Sequence, residues 1–366
     1  MRTSGWLGLW MWVGLAAGAA GAQDRVGPRE AVPVAESVLA MPEDLRKAFH
    51  AQVLDPPRPP HRRMQLLVDF LFQPQGLGMQ YRDDATYSVA DAWRTREANC
   101  LAFTLLTVAL AREAGLHAYG QEIRDAITWR KDADMIYRAN HVSAGIRILS
   151  ERYAIDVAWD EVIASGRPRP IDDHRLIAHF YSNRAVELMR AGNLAAGLAH
   201  ADAALALDPA NPAFLSNRGV LHQRAGEAAA AERDYRAALA LNPDHASALS
   251  NLAMHHRRAG DDAAATVLLQ RLAAVQARDP LHQFLLAADY ERRGDWAQAL
   301  AHYRRAVRLF EPEHSFHYAL ARVNVVLGHA EAAGRALERA RELSNGATRA
   351  RYQAKLDYLR SRPPQG

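Results

Sequence analysis

Cys100, His141 and Asp156 are the three residues of this chain that could together do covalent chemistry. A thiolate attacks an acyl carbon, a histidine takes and returns the proton, and a carboxylate orients the histidine. Cys100 is the only cysteine in 366 residues. From Leu101 to Ala111 the chain is apolar or small except at Thr104 and Thr107. Such a run is expected to be a helix buried on every side. Gly115 follows as its C-terminal cap, and Arg112 sits where a cation suits the helix dipole. The thiol is thereby placed at the positive end of a buried helix, where a thiolate is favoured.

The base and the carboxylate need a second element. Polar and apolar residues alternate from His141 to Ile148 and from Tyr153 to Trp159, which predicts two strands of a hairpin. Val142, Ala144, Ile146 and Ile148 share one face, as do Tyr153, Ile155, Val157 and Trp159. If both apolar faces meet the core, His141 and Asp156 fall together on the opposite face. Direct opposition of the two requires a turn centred between Ile148 and Leu149, whereas the polar Ser150-Glu151 pair centres it about two residues later. Face parity survives either register, and a bulge near the turn would reconcile them.

The remaining elements of the N-terminal half are read from punctuation and period. Ala35 to Val53 and Met64 to Phe72 are expected to be helical, with an extended link through the prolines at 56–60. Ser88 and Asp91 form a capping box for a short helix that runs toward Glu97. After a strand over His117 to Ile123, Arg124 to Arg138 reads as charged and irregular.

From Ala178 onward a period appears. Gly192, Gly226, Gly260, Gly294 and Gly328 recur at intervals of 34, with Gly197, Ala231, Ala265, Ala299 and Ala333 five residues after each. Asp208-Pro209 and Asn242-Pro243 close the first two units. This is the tetratricopeptide signature of two helices per repeat, glycine at the turn and small residues where helices touch. Thr348 to Arg360 predicts a terminal helix that caps the open end.

At its chemistry-bearing residues the chain resembles the transglutaminase-like branch of the papain-like cysteine enzymes. The resemblance rests on Asn99-Cys100-Leu101 opening an apolar helix, Asn140-His141-Val142 opening a strand and Ile155-Asp156-Val157 on the next. The Cys-His-Asp order, with gaps of 41 and 15 residues, fits that superfamily. It also looks like a bacterial subset in which an exported domain of this kind precedes tetratricopeptide repeats. Animal transglutaminases have glycine two before the cysteine and tryptophan after it, where this chain has Ala98 and Leu101. Thiol chemistry is therefore implied more firmly than protein cross-linking. An oxyanion hole needs donors aimed at the developing charge. The Cys100 backbone N–H is the first candidate, and Asn99, Trp93 and Tyr137 stand as alternatives for the second. Trp93 and Trp159 suit packing around the site better than a catalytic role.

Composition excludes other classes. The net charge of +4 is spread along the chain, with no clustered basic footprint for nucleic acid. Asp172-Asp173-His174 with His179 lacks metal-ligand spacing, and Asp173 is expected to cap the first repeat helix. His255 and His256 are expected to face solvent. No phosphate loop or dinucleotide fingerprint is present. No cofactor and no metal are expected. At the N-terminus, Arg2, the apolar run Trp6 to Ala20 and Ala20-Gly21-Ala22 have the form of a secretory signal. The expected setting is exported and periplasmic, the alternative being an uncleaved anchor. A lone cysteine in an exported chain is a free thiol.

The expectation is an α+β papain-like or transglutaminase-like domain, a central buried helix on a small antiparallel sheet, followed by an all-α repeat solenoid. The divisions are a signal peptide at 1–22, a disordered segment at 23–34, the transglutaminase-like domain at 35–175, five tetratricopeptide repeats at 178–347 and a capping helix with tail at 348–366. The expected function is thiol-dependent acyl transfer or hydrolysis on peptide or protein amides, with a protein partner or substrate on the solenoid. The alternative is a non-catalytic envelope scaffold. Neither nucleic acid nor a membrane span after signal removal is expected.

Overall fold

The computed structural model describes residues 30–130, 135–156, 162–164 and 168–361. The signal-like run at 1–22, residues 23–29 of the expected disordered segment, Val157, Trp159 and the tail at 362–366 lie outside the described residues. Among the described residues the chain is mostly helical, with a five-stranded sheet and a two-stranded one.

The expected single helix over 35–53 is divided. Helix α1 (Ala35–Val38) ends before Pro42, which caps α2 (Glu43–Phe49), and α2 runs into a π-turn at His50–Leu54. A proline has no N–H for the preceding turn, so the helix restarts there. Pro60, the last of the proline run, serves as the first residue of α3 (Pro60–Phe72). Strand β1 (Gln80–Tyr81) pairs in parallel with β2 (Glu97–Ala98) on either side of α4 (Val89–Thr95). Ser88 caps α4 by accepting the Asp91 N–H at 3.2 Å.

Helix α5 (Cys100–Glu113) is the centre of the core, with Leu101 to Val108, Leu110 and Ala111 all buried. The sheet that covers it contains β3 (His117–Arg130), β4 (Met135–Ile148), β5 (Glu151–Ile155), β6 (Val162–Ala164) and β7 (Arg169–Ile171). The order is β5-β4-β3-β6, with β7 also on β3, and every pair is antiparallel. The irregular segment expected over 124–138 is corrected. Pairing of β3 with β4 continues from Ala126–Ala139 to Arg130–Met135 beyond a register shift between Ile123 and Ala126. Backbone pairing propagates outward from the core ladder and needs no apolar alternation to do so.

Eleven helices follow: α6 (Asp173–Arg190), α7 (Leu194–Leu207), α8 (Pro212–Arg224), α9 (Ala228–Leu241), α10 (Ala246–Arg258), α11 (Asp262–Ala277), α12 (Pro280–Arg292), α13 (Trp296–Leu309), α14 (His314–Val326), α15 (Ala330–Leu343) and α16 (Gly346–Ser361). The five registered glycines lie just beyond α6, α8, α10, α12 and α14, the first helix of each repeat, with φ between +75° and +83°. This left-handed cap reverses the chain within each repeat, and it favours a residue without Cβ. Ala231, Ala265, Ala299 and Ala333 are buried at the helix contacts. A Cβ at Gly197 would stand 2.7 Å from a Leu221 methyl and 3.0 Å from the Ala185 carbonyl oxygen, so an alanine there would require its neighbours to shift. Tyr352 and Leu356 of α16 bury their side chains against the last repeat.

Several local expectations change at the joints. The cap of α6 is Asp172, which accepts the Arg175 N–H, while Asp173 pairs with Arg112 of α5. His255 is 9% exposed and bonds Gln223 of the preceding repeat through Nδ1, because its helix face packs between repeats rather than toward water. Residues 30–34 lie against α6, where Tyr181 donates to the Pro33 carbonyl at 2.6 Å and Glu30 pairs with Arg184. Leu176, Phe180 and Tyr181 join the same apolar cluster as α5, so the first repeat grows out of the core of the N-terminal half.

Candidate active site

Cys100 is the first residue of α5 and is half-buried. Asn99 caps the helix: its Oδ1 accepts the Ala102 N–H at 2.9 Å. The Cys100 N–H has no carbonyl partner within the helix, as is general for a first-turn amide, and it points along the positive end of the dipole.

His141 belongs to β4 and is 3% exposed. Its Nε2 donates to Asp156 Oδ2, and Cys100 lies near enough to its ring to favour the charged imidazolium. With Nε2 on the carboxylate, Nδ1 is the nitrogen left for the thiol. Burial alone would pull the imidazole down, but the bond to Asp156 and the nearby Cys100 outweigh it and push its pKa up to about 10. The structure therefore brings His141 and Asp156 into hydrogen-bond contact, with Cys100 beside the imidazole.

Two features set that geometry. The register shift in β3 falls opposite His141, since Ile123 pairs with His141 and the next pair is Ala126 with Ala139. Thr104, one turn after Cys100, places its hydroxyl 2.7 Å from the Cys100 carbonyl and 3.2 Å from the Val142 carbonyl. It thus pins the nucleophile helix to the residue beside the base. Thr104 is fully buried, and only its polarity within an apolar run marks it in the sequence.

The other named candidates stand elsewhere. The Trp93 indole N–H donates to Asp44 Oδ2 at 2.7 Å, with the Arg96 guanidinium 3.8 Å from its ring centre. That donor is taken, which removes Trp93 from the oxyanion role. Asn99 is likewise corrected: Nδ2 donates to Thr86 Oγ1 at 2.7 Å and to the Asp83 carbonyl at 3.4 Å, so the side chain builds the helix cap. The side chain of Tyr137 lies outside the described residues.

Asp172, His174 and Asp208 line a cavity of about 360 Å3 at the junction of the sheet with the first repeat, together with Glu122 and Arg175. There Arg175 pairs with buried Glu122 at 3.0 Å and with Asp208 at 2.8 Å, and His179 lies 3.6 Å from Glu122. These opposite charges satisfy one another, and the cavity is not lined by Cys100, His141 or Asp156. Among the described residues no three potential ligands gather around a metal position. No helix among them is long and apolar enough to cross a membrane.

Comparison with known proteins identifies tetratricopeptide repeats at residues 212–245 and 284–348. No curated protein matches the chain. Among solved structures, YrrB, described as a repeat protein with an unusual peptide-binding site, is 20% identical, with 49% of this chain and 92% of that one covered and a TM-score of 0.26. MamA from Desulfovibrio magneticus RS-1 is 20% identical over 45% of this chain and 94% of its own, TM-score 0.26. The pilF protein of Pseudomonas aeruginosa is 17% identical over 50% and 91%, TM-score 0.27. The C-terminal half of this chain is a tetratricopeptide solenoid, an architecture suited to holding a protein partner.

Proposed function

We propose that this chain is an exported, thiol-dependent acyl-transfer enzyme of the transglutaminase-like type, acting on peptide or protein amides. The observation that carries this reading is a buried imidazole bonded to Asp156, with the chain's one cysteine beside it at the start of a buried helix. An imidazole held that way can take the thiol proton through Nδ1 while the carboxylate fixes its orientation. The Cys100 sulfur then attacks the amide carbon, and the oxyanion forms near the Cys100 N–H at the helix start. His141 gives its proton to the leaving amine, which departs and leaves a thioester on Cys100. Water or an amine attacks the thioester with His141 as base, and the thiol is restored. The solenoid presents the substrate or a protein partner.

The test is alkylation and trapping on the full-length protein. Cys100 is expected to react with iodoacetamide at pH 6 faster than free cysteine, His141→Gln to slow that reaction about 10-fold or more, and amide substrates to leave an acyl adduct on Cys100 detectable by mass spectrometry. A thiol that reacts at the free-cysteine rate sinks the proposal.

A second reading is favoured by where the family matches fall, within the solenoid at 212–245 and 284–348. In it the protein is an envelope scaffold and the N-terminal half is inert. Full-length Cys100→Ala that keeps every partner and has no phenotype would establish the scaffold instead.

A further inference from the structure

The cavity of about 360 Å3 between the sheet and the first repeat has a paired inner side and an unpaired rim. On the inner side Arg175 commits its guanidinium to Glu122 at 3.0 Å and to Asp208 at 2.8 Å. Glu122 is buried, and Arg175 and Asp208 are half-buried. The rim carries Arg169, Asp172 and His174, all exposed. Asp172 Oδ1 accepts the Arg175 N–H at 2.9 Å, which leaves its Oδ2 available. Asp208 takes both Arg175 and Asn211 on Oδ2, which leaves its Oδ1 available. Among the described residues no ion pair or side-chain hydrogen bond engages Arg169 or His174.

The groups left available carry both signs, and this narrows the ligand. A simple anion drawn to Arg169 would also face the carboxylates of Glu122, Asp172 and Asp208. A simple cation would leave Arg169 unmatched. A metal ion would find no group of three ligands among the described residues. A molecule with one ammonium and one carboxylate matches both signs. An ammonium has three hydrogens to donate and suits the open oxygens of Asp172 and Asp208. A carboxylate accepts two parallel bonds from a guanidinium such as that of Arg169. The volume falls at the lower end of the about 300–1,000 Å3 typical of small-ligand sites.

We propose that the junction cavity is a binding site for a small zwitterion, an amino acid or short peptide with both termini free. Its ammonium lies toward Asp172 and Asp208, and its carboxylate lies toward Arg169. These residues belong to β7, to the cap of α6 and to the end of α7. Occupancy therefore ties the sheet to the first repeat beside the Arg175 bridge. The cavity is not lined by Cys100, His141 or Asp156, so the site stands without the acyl-transfer reading.

The experiment is calorimetric titration of the full-length protein with L-alanyl-L-alanine, its N-acetyl form and its C-terminal amide. Cys100 is alkylated beforehand, so that the thiol site is blocked. The free dipeptide is expected to bind, and blocking either terminus to weaken it about 10-fold or more, the loss of one charge-assisted contact. Arg169→Gln should weaken the free dipeptide by a similar factor and leave the amide unchanged. Asp172→Asn keeps an oxygen to cap α6, removes the charge, and should weaken the free dipeptide but not the N-acetyl form. No binding at about 10 mM dipeptide, equal binding of the free and blocked forms, or wild-type binding in both variants overturns the proposal. Orthophosphate that binds in place of the dipeptide overturns it as well, by showing a simple anion site.

Discussion

His141 and Asp156 are bonded across a diagonal of the sheet, not across a rung. The ladder pairs Ala144 with Ile155 and Ile148 with Glu151, which places Asp156 beside Ser143 and two residues from His141. Diagonal neighbours on one face are about 7–8 Å apart, within reach of a long or aromatic side chain. The imidazole ring spans that gap, and the register that allows it is fixed by a two-residue turn at Leu149-Ser150. Leu149 occupies that turn at φ +55° with its side chain 88% exposed. Beside Asp156, Ser143 accepts from Gln121 Nε2 at 3.0 Å, so the carboxylate sits against an ordered polar pair.

The first prediction concerns the proton on His141. Its pKa is raised from 6.5 to about 10, against the pull of burial, by Asp156 and Cys100. A raised folded pKa contributes stability that is complete below 6.5 and is lost as pH rises through about 10. The contribution is on the order of a few kcal/mol at most. The urea midpoint of the wild type is therefore expected to fall from pH 7 to pH 10 by more than that of Asp156→Asn. NMR of the imidazole should show it protonated at pH 8 in the wild type and titrating at lower pH in the variant, where Cys100 alone opposes burial. A wild-type ring that titrates near 6.5 would contradict the geometry.

Thr104 supplies a second prediction. Its buried hydroxyl reaches the carbonyls of Cys100 and Val142. Thr104→Val keeps the shape and removes the hydrogen bonds, which should destabilise the fold by about 1 kcal/mol and slow Cys100 alkylation, while Thr104→Ser retains both properties. Equal alkylation rates in the valine and serine variants would show that the pin does not set the thiol.

How far the sequence foretold this arrangement depends on the range of the interaction. The buried helix from Cys100 to Glu113, its Asn99 boundary and the glycines at intervals of 34 are local patterns, and each appears where the periodicity placed it. The faces of the hairpin were legible from alternation, but its register was not. Neither proposed turn centre is the observed one between Leu149 and Ser150, because a leucine in the left-handed region is not a turn signal. The partners of Trp93 and Asn99 come from residues 49 and 13 positions away, and spacing carries no trace of them. His255 shows the same limit, since its buried face is set by the neighbouring repeat.

Arg175 joins the sheet to the first repeat, and its removal should be costly. Glu122 is 2% exposed and would lose the guanidinium paired with it at 3.0 Å. Breaking a buried pair from one side leaves an uncompensated charge worth about 3–5 kcal/mol. Arg175→Ala is expected to lower the thermal midpoint accordingly. Glu122→Gln combined with Arg175→Met removes both charges and should recover much of the loss. A single variant that costs under about 1 kcal/mol would mean that water reaches Glu122 and solvates it.

Two glycines of the solenoid should respond to alanine with opposite signs. Gly226 caps α8 at φ +81°, and a Cβ there meets nothing within 4 Å. Steric room is thus not the issue: Gly226→Ala costs the left-handed backbone penalty alone, about 1 kcal/mol. Gly334 lies inside α15 (Ala330–Leu343) and also has open space around its Cβ. There the glycine only adds freedom to the unfolded chain, and Gly334→Ala should stabilise by about 0.5–1 kcal/mol. Thermal midpoints of the two variants, measured on the full chain, should move in opposite directions. Movement of both in the same direction would show that helix propensity, or the cap, is overridden by packing between repeats.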